Sequence, residues 1–83
     1  MEAGGGVAEA RYLELASRPG MEALKPLPEA ERLGTLVRVA GSIEISREAD
    51  SWNCWLKAGE YGGGPTPEAA LTEALLAATE VKT

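Results

Sequence analysis

Apolar residues recur at helical spacing near the amino terminus of the chain. The segment from Val7 to Ala16 predicts a short helix, and the breaker sequence at residues 17–20, Ser-Arg-Pro-Gly, ends it. Residues 1–6 precede this helix and include three consecutive glycines. Because glycine lowers helical order, we expect residues 1–6 to be disordered.

A second apolar stripe at helical spacing lies near the carboxyl terminus. Thr66 is a good N-cap and Pro67 suits the first helical position, so the pattern predicts a helix from Pro67 to Val81. Its stripe consists of Ala70, Leu71, Ala74, Leu75 and Ala78. A stripe this long can exceed what a small sheet covers, and a homodimer through this helix or through a strand edge is then an expectation.

Between these helices the pattern changes twice. Pro28 suits the start of a short helix that runs to Leu33 and ends at Gly34. Residues 35–46 then alternate with period two, which predicts a strand, with the apolar positions Val37, Val39, Ile43 and Ile45. Residues 41–42, Gly-Ser, allow either a kink in one strand or a turn between two strands. We favour one kinked strand, because it keeps all four apolar residues on one face.

The next strand carries a tryptophan on each face. In residues 52–57, one face consists of Trp52, Cys54 and Leu56, and the other of Asn53, Trp55 and Lys57. One tryptophan is expected in the core. The other either covers a sheet edge or is exposed, and an exposed tryptophan is a candidate contact residue.

The order of elements predicts an α+β fold. A small antiparallel sheet of two to three strands packs against the N-terminal and C-terminal helices, in a single domain over residues 1–83. The glycine-rich residues 61–68, "YGGGPTPE", join the last strand to the last helix. They lack the lysine of a P-loop and the spacing of a dinucleotide fingerprint, so we interpret them as a flexible crossing.

Composition argues against catalysis. The chain has no histidine, one cysteine and a net charge of −5, so it lacks the commonest general base and the commonest metal ligand. We expect neither an enzyme nor a bound metal or cofactor. The lone cysteine suits a reducing compartment, and the sequence has no apolar run of about 20 residues and no secretory signal. The expected location is cytoplasmic, away from the membrane.

Three residues form a candidate binding surface. If Arg38 and Arg47 lie on the polar face of the sheet with Trp55, they make a mixed cationic and aromatic surface that can contact bases and phosphates. Neighbouring glutamates can equally neutralise it.

The chain from Leu33 to Ala78 resembles small phage and prophage proteins of the ABA-sandwich type. The matching stretches are "VRVAGSIEISRE", "SWNCWLKAG" and "YGGGPTPEAALTEAL". The last segment is also similar to the strand-to-helix passage of antitoxins of the HicB type, which bind a toxin. The resemblance implies helices packed on an antiparallel sheet, and it implies no reaction.

Three hypotheses follow. The leading one is a non-enzymatic phage-type accessory protein that binds another protein, as an inhibitor of a host defence or transcription complex. The second is a nucleic-acid-binding module that uses Arg38, Arg47 and Trp55. The third is a self-assembling structural domain. The acidic charge disfavours nucleic acid, where basic residues must displace counterions.

Overall fold

Three helices and a three-stranded antiparallel sheet make up the part of the chain that the computed structural model describes, residues 3–25 and 27–79. In chain order the elements are α1 (Ala3–Ala16), a 3-10 helix (Glu22–Leu24), α2 (Glu29–Ala40), β1 (Ile43–Glu48), β2 (Ser51–Leu56), β3 (Tyr61–Gly64) and α3 (Pro67–Ala78). The α+β prediction is confirmed. No helix within these residues is both long enough and apolar enough to cross a bilayer.

The sheet has the order β1-β2-β3, and its register fixes which side chains share a face. Cys54 lies opposite Ile45 of β1 and Gly62 of β3, and these residues face the helices. Trp55 lies opposite Glu44 and Tyr61, and these residues face away from the helices. The predicted division of β2 into two faces is therefore confirmed.

Helix α3 is the centre of the fold. One side packs on β2 and β3, and α1 and α2 pack against α3 from other sides. Its buried residues are Ala70, Leu71, Thr72, Ala74, Leu75 and Leu76. The apolar stripe predicted from the sequence is thus covered within one chain, apart from the exposed Ala78, and offers no apolar face for a dimer. The predicted cap is present, since the Thr66 hydroxyl accepts a hydrogen bond from the Ala69 amide at 3.1 Å.

The predicted strand over residues 35–46 is wrong in its first half. Helix α2 continues through Gly34 to Ala40, and only the second half, from Ile43, is a strand. Leu33, Leu36 and Ala40 also stand at helical spacing, and Leu36 is fully buried. Gly41 ends the helix with a φ of 78°, a conformation that glycine adopts without a steric penalty.

The glycine-rich stretch forms a third strand, which corrects its interpretation as a flexible crossing. Residues 61–64 pair with residues 52–55 of β2. A Cβ at Gly62 would lie 2.2 Å from both Ala70 O and Ala74 N, and one at Gly64 would lie 2.7 Å from Ala69 Cβ. The glycines therefore let β3 lie directly against the backbone of α3.

Helix α1 begins at Ala3, earlier than the predicted Val7, so residues 3–6 belong to the helix. Tyr12 anchors it, because its buried hydroxyl donates a 2.6 Å hydrogen bond to Leu24 O. Residues 1–2 of the segment expected to be disordered, and residues 80–81 at the predicted end of the last helix, lie outside the described residues.

Candidate binding surface

The sheet face that points away from the helices carries an exposed aromatic pair. Trp55 of β2 and Tyr61 of β3 lie directly opposite each other, with ring centroids 5.4 Å apart and ring planes tilted by 50°. Trp55 is 37% exposed and Tyr61 is 51% exposed. The tilted geometry is one that aromatic rings favour, so each ring supports the other in an exposed position. We call this surface the outer aromatic face; it consists of Glu44, Ser46, Glu48, Asn53, Trp55, Tyr61 and Gly63.

A hydrogen-bond chain fixes the position of Tyr61 on this face. The Tyr61 hydroxyl donates a short hydrogen bond to Asn53 Oδ1, and Asn53 Nδ2 lies 3.5 Å from Glu48 Oε1. A Cβ at Gly63 would meet the Tyr61 hydroxyl oxygen at 2.8 Å, so the missing side chain at Gly63 leaves the space that the phenol occupies. The aromatic pair is therefore held in place before any partner binds.

Acidic side chains border the aromatic pair. Glu44 lies directly opposite Trp55, and Glu48 closes the other end of β1. A shallow depression of about 240 Å³ next to Trp55 is lined by Ser42, Ile43, Glu44, Trp55, Leu56 and Lys57. The outer aromatic face thus combines two exposed rings with carboxylates from β1, and Lys57 is the basic residue beside it.

The structure does not bring the three predicted binding residues together. Arg38 belongs to α2, where its guanidinium contacts Thr35 Oγ1 at 3.2 Å. Arg47 is on β1 but lies opposite Trp52 on the helix side of the sheet, with its guanidinium carbon 5.7 Å from the centre of that ring. Only Trp55 lies on the outer aromatic face. The prediction placed Arg38 on the sheet because residues 35–40 were interpreted as part of a strand. These residues belong to α2, so Arg38 does not lie on the sheet.

The other arginines stabilise the helical layer. Arg11 makes two 2.8 Å hydrogen bonds to Glu73 across α1 and α3, and Arg18 donates a 2.7 Å hydrogen bond to Thr79 O at the end of α3. Arg32 stacks over the Tyr12 ring at 4.1 Å and binds Glu9.

These ion pairs also shift the pKa values of the groups that form them. The side-chain hydrogen bond between Arg32 and Glu9 lowers the pKa of Glu9 and raises the pKa of Arg32. The hydrogen bond to Glu73 raises the pKa of Arg11. Arg11, Arg18 and Arg32 are therefore engaged in contacts between helices of the fold.

Cys54 is fully buried on the helix side of β2, as expected of a small core residue. Burial raises the pKa of its thiol, which disfavours the reactive thiolate. Within the residues that the structure describes, no three His, Cys, Asp or Glu side chains are grouped so that they could hold a metal ion.

Sequence reasoning placed Asn53 on the same face as Trp55 but missed Tyr61, which completes the surface. The place of Tyr61 depends on β3, and a strand of one tyrosine and three glycines has no alternating apolar pattern. One signal was available: Gly62 and Gly64 alternate with Tyr61 and Gly63, and small residues recur on the following helix at Ala70 and Ala74.

A scan against protein-family models, a search of the curated proteins and a search of the solved structures found no match to this chain.

Proposed function

We propose that this chain is a non-enzymatic accessory protein of the phage type that acts by binding another protein through the outer aromatic face. One observation carries the proposal: the Trp55–Tyr61 pair is exposed on a sheet face that the helices of the described chain leave uncovered. Large aromatic side chains dominate the binding energy of many protein interfaces.

The support from Trp55 and Tyr61 lies in their rigidity as well as their exposure. Ring-to-ring contact and the bond from Tyr61 to Asn53 restrict both side chains in the free protein. Binding therefore loses little side-chain entropy, and more of the contact energy remains as affinity. Of the other exposed large apolar residues, Leu13, Val37 and Val39 belong to helices, and Ile45 lies on the helix side of β1.

The charge of the surface indicates the chemistry of the partner. Glu44 and Glu48 border the aromatic pair, and the whole chain carries a net charge of −5. A basic patch on another protein complements these carboxylates, and an arginine there can also stack on an exposed ring. Proteins that hold nucleic acid present such patches. An inhibitor of a host defence or transcription complex, which covers such a patch, is the form of the activity that we propose.

A nucleic-acid-binding function has less support from the geometry. Its proposed cations, Arg38 and Arg47, lie away from Trp55, and the carboxylates beside Trp55 repel phosphate. Binding to nucleic acid is therefore one of the outcomes that the affinity experiment tests.

The experiment is affinity capture with the tagged chain from a nuclease-treated lysate of the source cells, read by mass spectrometry. We expect one stoichiometric basic protein that elutes as salt is raised. Trp55→Ala should weaken its binding by about 30-fold, the loss expected for a central aromatic contact worth about 2 kcal/mol. Glu44→Lys should slow association at low salt, because it reverses a charge that attracts the partner.

Val39→Ala is the matched control, since Val39 is exposed to the same degree, 37%, on α2. It should bind as the unchanged protein does. A captured partner that Trp55→Ala still binds with full affinity contradicts the proposal. So does retention of single- or double-stranded oligonucleotides on a filter at low salt, if Trp55→Ala removes it.

A further inference from the structure

β1 is an edge strand of the sheet. β1 pairs with β2 on one side, and no strand in the described part of the chain pairs with its other side. The Leu56 amide donates to Glu60 O at 2.8 Å, towards β3, so the backbone groups of Ile43, opposite Leu56, turn towards the open side. Antiparallel alternation extends this orientation to Ile45 and Arg47.

The helix side of β1 is also incompletely covered. Helix α3 lies over β2 and β3, while Ile43 is half-buried and Ile45 is 36% exposed. β3, the other edge strand, has four residues, three of them glycine, and Pro65 follows it. β1 has six residues without glycine or proline, so it is the better edge for pairing.

The charges on β1 favour one register for pairing with a second copy of itself. When two antiparallel copies are centred on Ile45, Glu44 lies opposite Ser46, Ile43 opposite Arg47 and Glu48 opposite Ser42. This register brings no like charges together. A shift of two residues in one direction places Glu44 opposite Glu44, and the opposite shift places Glu44 opposite Glu48, both of which are repulsive.

We propose that β1 pairs antiparallel with β1 of a second copy of this chain, with Ile45 facing Ile45 across a two-fold axis. The product is a closed dimer with a continuous six-stranded sheet. The axis is perpendicular to the sheet, so both outer aromatic faces lie on the same side of the dimer. This contact is independent of the proposed protein partner, because it uses the edge of β1 and not Trp55 or Tyr61.

Sedimentation equilibrium over a range of concentrations tests the dimer. We expect the mass to rise from the monomer value of 8.7 kDa to twice that value and to stop there. Ile45→Lys places two lysines opposite each other and should raise the dimer dissociation constant by at least about tenfold. Val39→Lys is the control, since Val39 is equally exposed but lies on α2, and it should leave the constant unchanged.

Disulfide formation tests the register. Residues opposite each other in an antiparallel pair lie within the reach of a disulfide, so Ile45→Cys should cross-link with itself under mild oxidation. Glu44→Cys and Ser46→Cys should each cross-link with themselves slowly, whereas a mixture of the two should form the mixed dimer. Cys54 can remain in place, because it is buried and the unchanged protein then serves as a blank.

Four results overturn the proposal. The first is a monomer at every concentration. The second is a dimer that Ile45→Lys leaves intact. The third is a faster self-cross-link at residue 44 or 46 than at residue 45. Pairing of β1 with a strand of a different protein, seen as protection of β1 amides from hydrogen exchange only when that protein is present, also excludes it.

Discussion

Replacing Gly62 by alanine tests the close packing of β3 on α3 directly. The new Cβ would lie 2.2 Å from Ala70 O and from Ala74 N, whereas ordinary contact begins near 3.4 Å. Both atoms belong to the helix backbone and cannot rotate away. Strand or helix must therefore shift by about 1 Å, which opens a gap beside Ala70 and Ala74.

The expected loss of stability follows from this displacement. Overpacking of a well-packed core typically costs about 1–3 kcal/mol, and two simultaneous backbone clashes lie at or above the upper limit. A chain of this length has a free energy of unfolding of about 4–12 kcal/mol. We therefore expect Gly62→Ala to remove about 3 kcal/mol and to lower the melting temperature by more than about 10 °C.

Urea denaturation followed by tryptophan fluorescence measures the effect, with an unchanged m-value as the sign that unfolding remains two-state. Gly34→Ala is the control. Gly34 lies inside α2, and a Cβ there meets nothing within 4 Å, so alanine should stabilise the protein by about 0.5–1 kcal/mol through helix propensity. A Gly62→Ala variant within about 0.5 kcal/mol of the unchanged protein would refute the close packing and restore residues 61–64 as a loose crossing.

Two further predictions concern α1. Tyr12→Phe should lower the free energy of unfolding, measured by urea denaturation, by about 1 kcal/mol, because it removes the buried hydrogen bond to Leu24 O. Tyr61→Phe should lower it by less than about 0.5 kcal/mol, because the Tyr61 hydroxyl is exposed. Equal losses would contradict the anchoring role of Tyr12. NMR titration should give Glu9 a pKa below the usual value for glutamate, since the hydrogen bond from Arg32 lowers it. The stability that this pair contributes is present above the usual pKa of glutamate and is lost as the pH falls through the lowered pKa. Glu9→Gln should therefore flatten that part of the plot of unfolding free energy against pH. A normal pKa for Glu9 would contradict the pair.

Local chemistry made α3 and β2 predictable from the sequence. Thr66 and Pro67 satisfy the start of α3 without help from the rest of the fold, and the alternation around Cys54 is unbroken. Both elements carry their signals within a few residues. The start of α3 and the two faces of β2 could accordingly be predicted, whereas which of the two tryptophans is exposed could not.

The structure of residues 35–40 could not be predicted in the same way, because their sequence fits both the period of a strand and the period of a helix. Val37 and Val39 alternate as in a strand, while Leu33, Leu36 and Ala40 recur as in a helix. The prediction of a strand rested on the strand propensity of the two valines, but both are more than one-third exposed. The helix is favoured because it buries Leu36 completely. Tertiary packing on α3 selects the helical period, and no local signal reports that packing.

The outer aromatic face was predictable only in part for a related reason. Trp55 belongs to a strand with a clear alternating pattern. Tyr61 belongs to a strand of glycines, and the close approach of α3, which follows in the chain, is the reason for those glycines. The contact between Gly62 and α3 is a fit of two backbones. Such a fit leaves no hydrophobic pattern to read.

The central position of α3 has a consequence for synthesis of the protein. Every large cluster of contacts outside the sheet involves α3, and the Arg11–Glu73 pair spans 62 positions of sequence. While the ribosome is still making the chain, Leu15, Leu36 and Cys54 lack the central helix of their core until α3 emerges. The elements that precede α3 must then wait for it before they can complete their packing, and the nascent chain depends on its own charge, or on a chaperone, to stay dispersed.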